Sequence, residues 1–218
     1  MKNIIGADAA KLAGLQIDTL QKIRNGQITL EHWEWFNMLN KAERDRLTGV
    51  NATDPRFPLL TTFQFTVPEN YVHATQLASF AKENREKFYF YNDNITDANF
   101  AKVTNKLTSG KIYEAKIFGI TERVTSEDCL VFLKTQKAIL VGAQGISIVW
   151  QQAKEQFPKG KWTVSFDEKD ALWQDADGYH RVPYVRQRSD GDWHFFLGNF
   201  EFDWYDDDCV LCLRDLSA

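Results

Sequence analysis

Residues 161–218 read KWTVSFDEKDALWQDADGYHRVPYVRQRSDGDWHFFLGNFEFDWYDDDCVLCLRDLSA. β-Branched and aromatic residues alternate there with acidic turns, which is the pattern of strands half-buried against a core. The pattern predicts strands over Trp162–Phe166, His180–Arg188, Trp193–Leu197 and Cys209–Arg214, arranged as an antiparallel meander. Ser189-Asp190-Gly191-Asp192 is the clearest hairpin signal, because Asp-Gly supplies the positive φ angles of a tight turn. Pro183 lacks a ladder donor, so its strand is expected at an edge or at a bulge.

Upstream, the pattern changes twice. Leu12, Leu15, Leu20 and Ile23 keep an approximate helical spacing up to Asn25-Gly26. Thr29 is placed to cap a second helix carrying Leu30, Trp33, Phe36 and Leu39, and Asn40–Glu43 has the form of a capping box for a third. Asn51–Pro58, with two prolines and little apolar content, reads as a linker. The expected division is therefore a helical module over 1–50 and an α+β domain over 51–218. In the second part, LLTTFQFTV from Leu59 is a strand, and a helix follows over about 71–87 with Ala74, Leu77, Ala78 and Ala81 inward. FYFY (88–91) is a short strand. VTNKL (103–107) and KIYEAKIFGI (111–120) flank Thr108-Ser109-Gly110 as a hairpin. Thr125–Asp128 caps a helix bearing Cys129, Leu130 and Leu133. Ala138–Val141 is expected as a buried strand, and Gly142-Ala-Gln-Gly145 opens a helix. With Trp162 starting the next strand, these elements suggest a βαβ unit.

The chain carries 26 Lys and Arg, 30 Asp and Glu, and a net charge of −4. Residues 161–218 hold 6 of those cations and 13 of those anions, a local −7. An acidic balance argues against a nucleic-acid footprint, which needs Lys and Arg, and favours a basic protein surface as partner. Three cysteines, no apolar leader and no apolar run of membrane-spanning length lead us to expect a cytoplasmic protein without disulfides and outside the membrane.

Most chemical motifs fail on spacing. GxxG at 142–145 lies where a phosphate could meet a helix N-terminus, but it is neither a dinucleotide fingerprint nor a P-loop. Asp175-Ala-Asp177-Gly178 hints at a calcium loop, yet the frame puts Trp173 and Tyr184 where carboxylates are required. Cys209-Val-Leu-Cys212 lies in an apolar strand, whose period of two sends the thiols to opposite faces. No catalytic residue and no cofactor is assigned. The candidate binding residues are Trp173, Asp175, Asp177, His180, Arg181, Trp204, Asp206 and Asp208, with Asp167, Asp175, Asp177 and Asp206 as candidate metal ligands. Three functions follow. The leading one is a non-enzymatic binding protein that uses the acidic, tryptophan-rich sheet. The others are a metal-dependent hydrolase or nuclease on the carboxylates, and DNA binding through the N-terminal helices.

Four strings, ITLEHWEWFNMLNKAERDRL (28–47), LVGAQGISIVWQQAKEQFPKGKW (140–162), SFDEKDALWQDADGYHRVP (165–183) and DDDCVLCLRD (206–215), are specific in wording. Together they resemble a family of hypothetical proteins from candidate-phylum bacteria over most of the chain. The resemblance implies one recurring unit that includes the helical N-terminus. It brings no activity, cofactor or catalytic residue with it.

Overall fold

A computed structural model describes residues 18–39 and 54–216. The expected third helix near 40–49 and the first residues of the opening helix lie outside them. The chain divides into two compact units, Met1–Val50 and Asn51–Ala218. In the first, residues 18–24 are helical and Asn25-Gly26 ends them. Helix α1 (Leu30–Met38) follows, with the Thr29 hydroxyl accepting from His32 N at 3.2 Å as its cap.

The second unit is an α+β fold built on one mixed sheet. Its strands are β1 (Leu59–Thr66), β2 (Phe88–Tyr91), β3 (Ile112–Gly119), β4 (Trp162–Val164), β5 (Trp173–Gln174), β6 (His180–Gln187), β7 (Trp193–Asn199) and β8 (Asp208–Asp215). Their order is β1-β3-β8-β4-β6-β7-β2, with β5 beside β6. β2 runs parallel to β7 and β4 parallel to β8; the other pairs are antiparallel. Helices α2 (Gln76–Asn84) and α4 (Gly142–Ala153) give Leu77, Phe80, Ile146, Val149 and Trp150 to the core on one face. Helix α3 (Ser126–Thr135) gives Cys129, Leu130, Phe132 and Leu133 to the core on the other. Thr125–Asp128 caps α3 as expected, and the two residues do so as a capping box, with side chain to backbone bonds of 3.1 and 3.2 Å.

β8 is an interior strand between β3 and β4 and not the last strand of a meander. Cys209, Leu211 and Leu213 enter one core, while Val210 and Cys212 enter the other. An unbroken apolar run has no polar face to leave in water, so it is stable only between two layers. The two thiols of the CxxC do point to opposite faces, and burial pushes each up to about 12. The β6–β7 hairpin forms at Ser189–Asp192, where Arg188 N donates to Asp192 O at 2.8 Å and Gly191 adopts φ +94. Pro183, however, is in an interior strand. Its carbonyl accepts from Ser165 N at 3.0 Å just past the end of β4, so its missing N–H falls where the neighbouring strand has stopped.

Three further expectations need correcting. Residues 138–141 form no strand; Ile139 makes a single bridge, donating to Leu213 O at 2.7 Å, and the chain then turns into α4. The βαβ unit is therefore absent, and the parallel partner of β4 is β8. Residues 103–107 do not pair with β3, whose partners are β1 and β8; Asn105 instead exchanges bonds with Leu140. The helix expected over 71–87 is α2 between two 3₁₀ turns, His73–Thr75 and Arg85–Lys87, with Phe80 buried and Ala78 exposed.

Thr163 of β4 is fully buried between Val185 and Cys209 of the neighbouring strands, and its hydroxyl finds no partner among the described residues. A buried, unpaired hydroxyl costs on the order of 1–3 kcal/mol. Thr163→Val keeps the shape and removes that cost, so urea denaturation should report a variant more stable by about 1 kcal/mol or more.

Candidate functional site

Three of the acidic residues singled out above, Asp167, Asp175 and Asp208, have their carboxylates bonded within the fold, whereas Asp177 is exposed. Asp175 forms an Asx turn, its Oδ1 accepting from Asp177 N and Tyr179 N, both at 3.0 Å. Its Oδ2 takes Arg181 Nε at 2.7 Å, and Arg181 also reaches Asn199 Oδ1. Burial raises the Asp175 carboxyl, but Arg181 and the backbone donors together outweigh it and hold the group below its ordinary range. His180 Nδ1 meets Glu201 Oε1 at 2.7 Å, and Lys169 Nζ reaches the same oxygen at 3.3 Å. Sequence reasoning missed Glu201, which lies 21 residues away and is brought in only by the antiparallel β6–β7 pairing.

Trp204, a candidate binding residue, is a core residue. It is buried against Phe166, and its Nε1 donates to Ser126 Oγ at 2.8 Å. Trp173 is half-buried, edge-on to Phe100. Asp208 is buried and accepts from Tyr205 N at 2.9 Å, whereas Asp206 is exposed and its carbonyl holds Lys161 Nζ. Asp167 is buried beside Gly142, where it accepts from Thr104 N at 3.2 Å and Glu168 N at 2.8 Å. Gly142 has φ +52, and a Cβ added there would stand 3.6 Å from that of Asp167. Gly142 is thus required by its positive φ and Gly145 by its close approach to Leu213 and Val141, each 3.1 Å from an added Cβ, so no phosphate is needed to explain the glycines of α4. Among the described residues, no three His, Cys, Asp or Glu side chains gather to hold a metal, so no three of the candidate ligands Asp167, Asp175, Asp177 and Asp206 come together.

The side chains that do converge lie elsewhere. On the face that α3 covers at its other end, strand register aligns Trp162, Arg186, His194 and Phe90, and beside them Tyr184 and Phe196. Phe90 stacks on Phe196 at 4.2 Å and Tyr89 on His194 at 5.5 Å; Trp162 stands edge-on to Tyr184 at 4.8 Å. The guanidinium of Arg186 lies over Trp162 at 4.7 Å, and that of Arg188 over Tyr89 at 5.7 Å. Tyr89 is 72% exposed and Phe90 40%, and the other rings are half-buried. Burial, then Arg188 and Arg186, lowers the affinity of His194 for a proton, so this ring is neutral at physiological pH.

Family models, curated proteins and solved structures give no match to the chain. Six rings and two guanidinium groups on one sheet surface form a platform that can stack flat π systems and donate hydrogen bonds to anions beside them. Arg188 is paired with Asp190 at 3.4 Å; Arg186 has no carboxylate partner among the described residues. The sequence did carry a signal for this face. Tyr184-x-Arg186-x-Arg188 and His194-x-Phe196 repeat at strand period, with large side chains on the side opposite the apolar set.

Proposed function

We propose that this chain is a binding protein whose ligand lies across the open aromatic face of β4, β6, β7 and β2. The class of ligand that fits is a flexible, ring-bearing anionic chain, single-stranded RNA or DNA. The observation that carries the reading is the platform itself: exposed and half-buried rings in mutual contact, with Arg186 and Arg188 held on the same face. Base–aromatic stacking tolerates any sequence, and guanidinium groups next to the rings suit phosphates. The acidic excess of residues 161–218 counted whole segments. Four of those 13 anions are spent away from the platform: Asp175 and Glu201 pair with Arg181 and His180, and Asp167 and Asp208 are buried. Asp190 and Asp192 act on His194 and leave the two guanidinium groups as the cations of the face.

The test is fluorescence anisotropy with labelled single-stranded and duplex oligonucleotides over a salt series. Binding should favour single strands. With one or two phosphates neutralised, log K should fall against log salt with a slope of only about −0.7 to −1.4. Tyr89→Ala and Phe90→Ala should each weaken binding by about 1–3 kcal/mol, since each removes a stacking surface. A single-strand affinity unchanged by these variants overturns the proposal, as does no affinity at all. Binding of a lysine-rich peptide instead, lost in Asp206→Asn with Asp207→Asn, would favour a basic protein partner on the acidic loop.

A further inference from the structure

We propose that β1 pairs with β1 of a second copy of this chain across a two-fold axis at Phe63. β1 is an edge strand, and LLTTFQFT (59–66) contains no charge and no proline. Edge strands that stay single are blunted by such residues, because unpaired backbone groups otherwise recruit another strand. Pairing with β3 uses the odd-numbered residues, as the bond from Val67 N to Lys111 O at 3.0 Å fixes, so Thr62, Gln64 and Thr66 turn their N–H and C=O outward.

One of those three positions is already closed. The amide of Gln152 accepts from Thr66 N at 3.1 Å and donates back to Thr66 O, supplying what a neighbouring strand would. Thr62 and Gln64 have no such partner among the described residues. An antiparallel two-fold through Phe63 sets Thr62 opposite Gln64 of the partner subunit and Gln64 opposite Thr62 of the partner subunit. Their four outward groups on each copy then satisfy one another. Phe63 faces itself in the close, non-hydrogen-bonded pair, which suits a ring that is only half-buried at the rim of the core. Phe65 falls opposite Thr61 of the partner subunit, so no charge or proline disturbs the register. A second copy is the fitting occupant because the free stretch is its own complement.

Register-specific disulfide trapping decides the matter. Residues opposite each other in a hydrogen-bonded antiparallel pair have Cα atoms about 5.5 Å apart, within disulfide range. Thr62→Cys protein mixed with Gln64→Cys protein and oxidised should give a covalent dimer several-fold more abundant than either variant alone. The native thiols at Cys129, Cys209 and Cys212 are buried and give no background. Sedimentation of the wild-type chain over a dilution series should show reversible dimerisation. Gln64→Pro removes an outward N–H without touching a bond to β3, and should stay monomeric. A wild-type chain that is monomeric throughout, or a mixture that cross-links no better than the single variants, would overturn the proposal even if the proline variant fails to fold.

Discussion

Trp150→Ala is expected to remove about 3–5 kcal/mol of stability, the usual cost of emptying a buried aromatic site. Trp150 is 1% exposed, at the point where α4 meets the sheet. Its ring lies 4.4 Å from that of Phe88, 5.6 Å from Phe80 and 5.5 Å from Trp193, so four elements meet on one side chain. Packed rings on that many sides cannot collapse into the space together, and the cavity term is added to the lost transfer energy. Against a total stability of about 5–15 kcal/mol, the loss places the variant near the limit of folding. Trp150→Phe is the informative companion. The indole N–H has no partner among the described residues, so phenylalanine keeps most of the packing and removes a buried donor. Urea midpoints should fall far for alanine and little for phenylalanine; equal losses would mean that the indole N–H has a partner that matters.

The contrast between what the sequence reveals and what it conceals follows the distance over which each interaction acts. The Ser189–Asp192 hairpin, the Thr125–Asp128 capping box and the Thr29 cap are decided within three or four residues, and all three are visible in the chain as written. β8 between β3 and β4 is not, because strand order depends on which faces need covering after every other element has formed. Trp204 stands among aspartates in the sequence and is named there as a binding candidate; its place in the core is set by Ser126, 78 positions away. Asp175 and Arg181 are close enough to be paired by inspection, whereas His180 and Glu201 needed the hairpin to meet. The platform is the hardest case, since β2, β4, β6 and β7 each bring only one to three of its side chains. The charge count has a related limit: a segmental sum does not separate an anion spent on a turn, such as Asp175, from one left exposed, such as Asp206.

The second large effect is a dependence on pH set by two buried carboxyls. Burial pushes Asp167 up to about 6 and Asp208 up to about 6; for Asp208, Asp207 and Asp206 add to the rise. Each group therefore binds its proton more tightly folded than unfolded, where the value is near 4. Between those values the folded chain carries protons the unfolded chain lacks, so stability falls as pH rises from about 4 to about 6 and stays reduced above. A shift of about two units corresponds to about 3 kcal/mol for each site. Other groups act in the opposite sense. Burial lowers His73 and His194, so their contribution is lost as pH falls below about 6.5. Asp54, Asp128, Asp175 and Glu201 are held below their ordinary values, and what they contribute is lost only as pH falls below about 4. A difference measurement separates the terms. Asp167→Asn combined with Asp208→Asn leaves those six groups in place, so the stability of the variant minus that of the wild type should climb between about pH 4 and 7 and level off. A difference that stays flat over that window would mean that the two carboxyls are solvated well enough to ionise at their ordinary values.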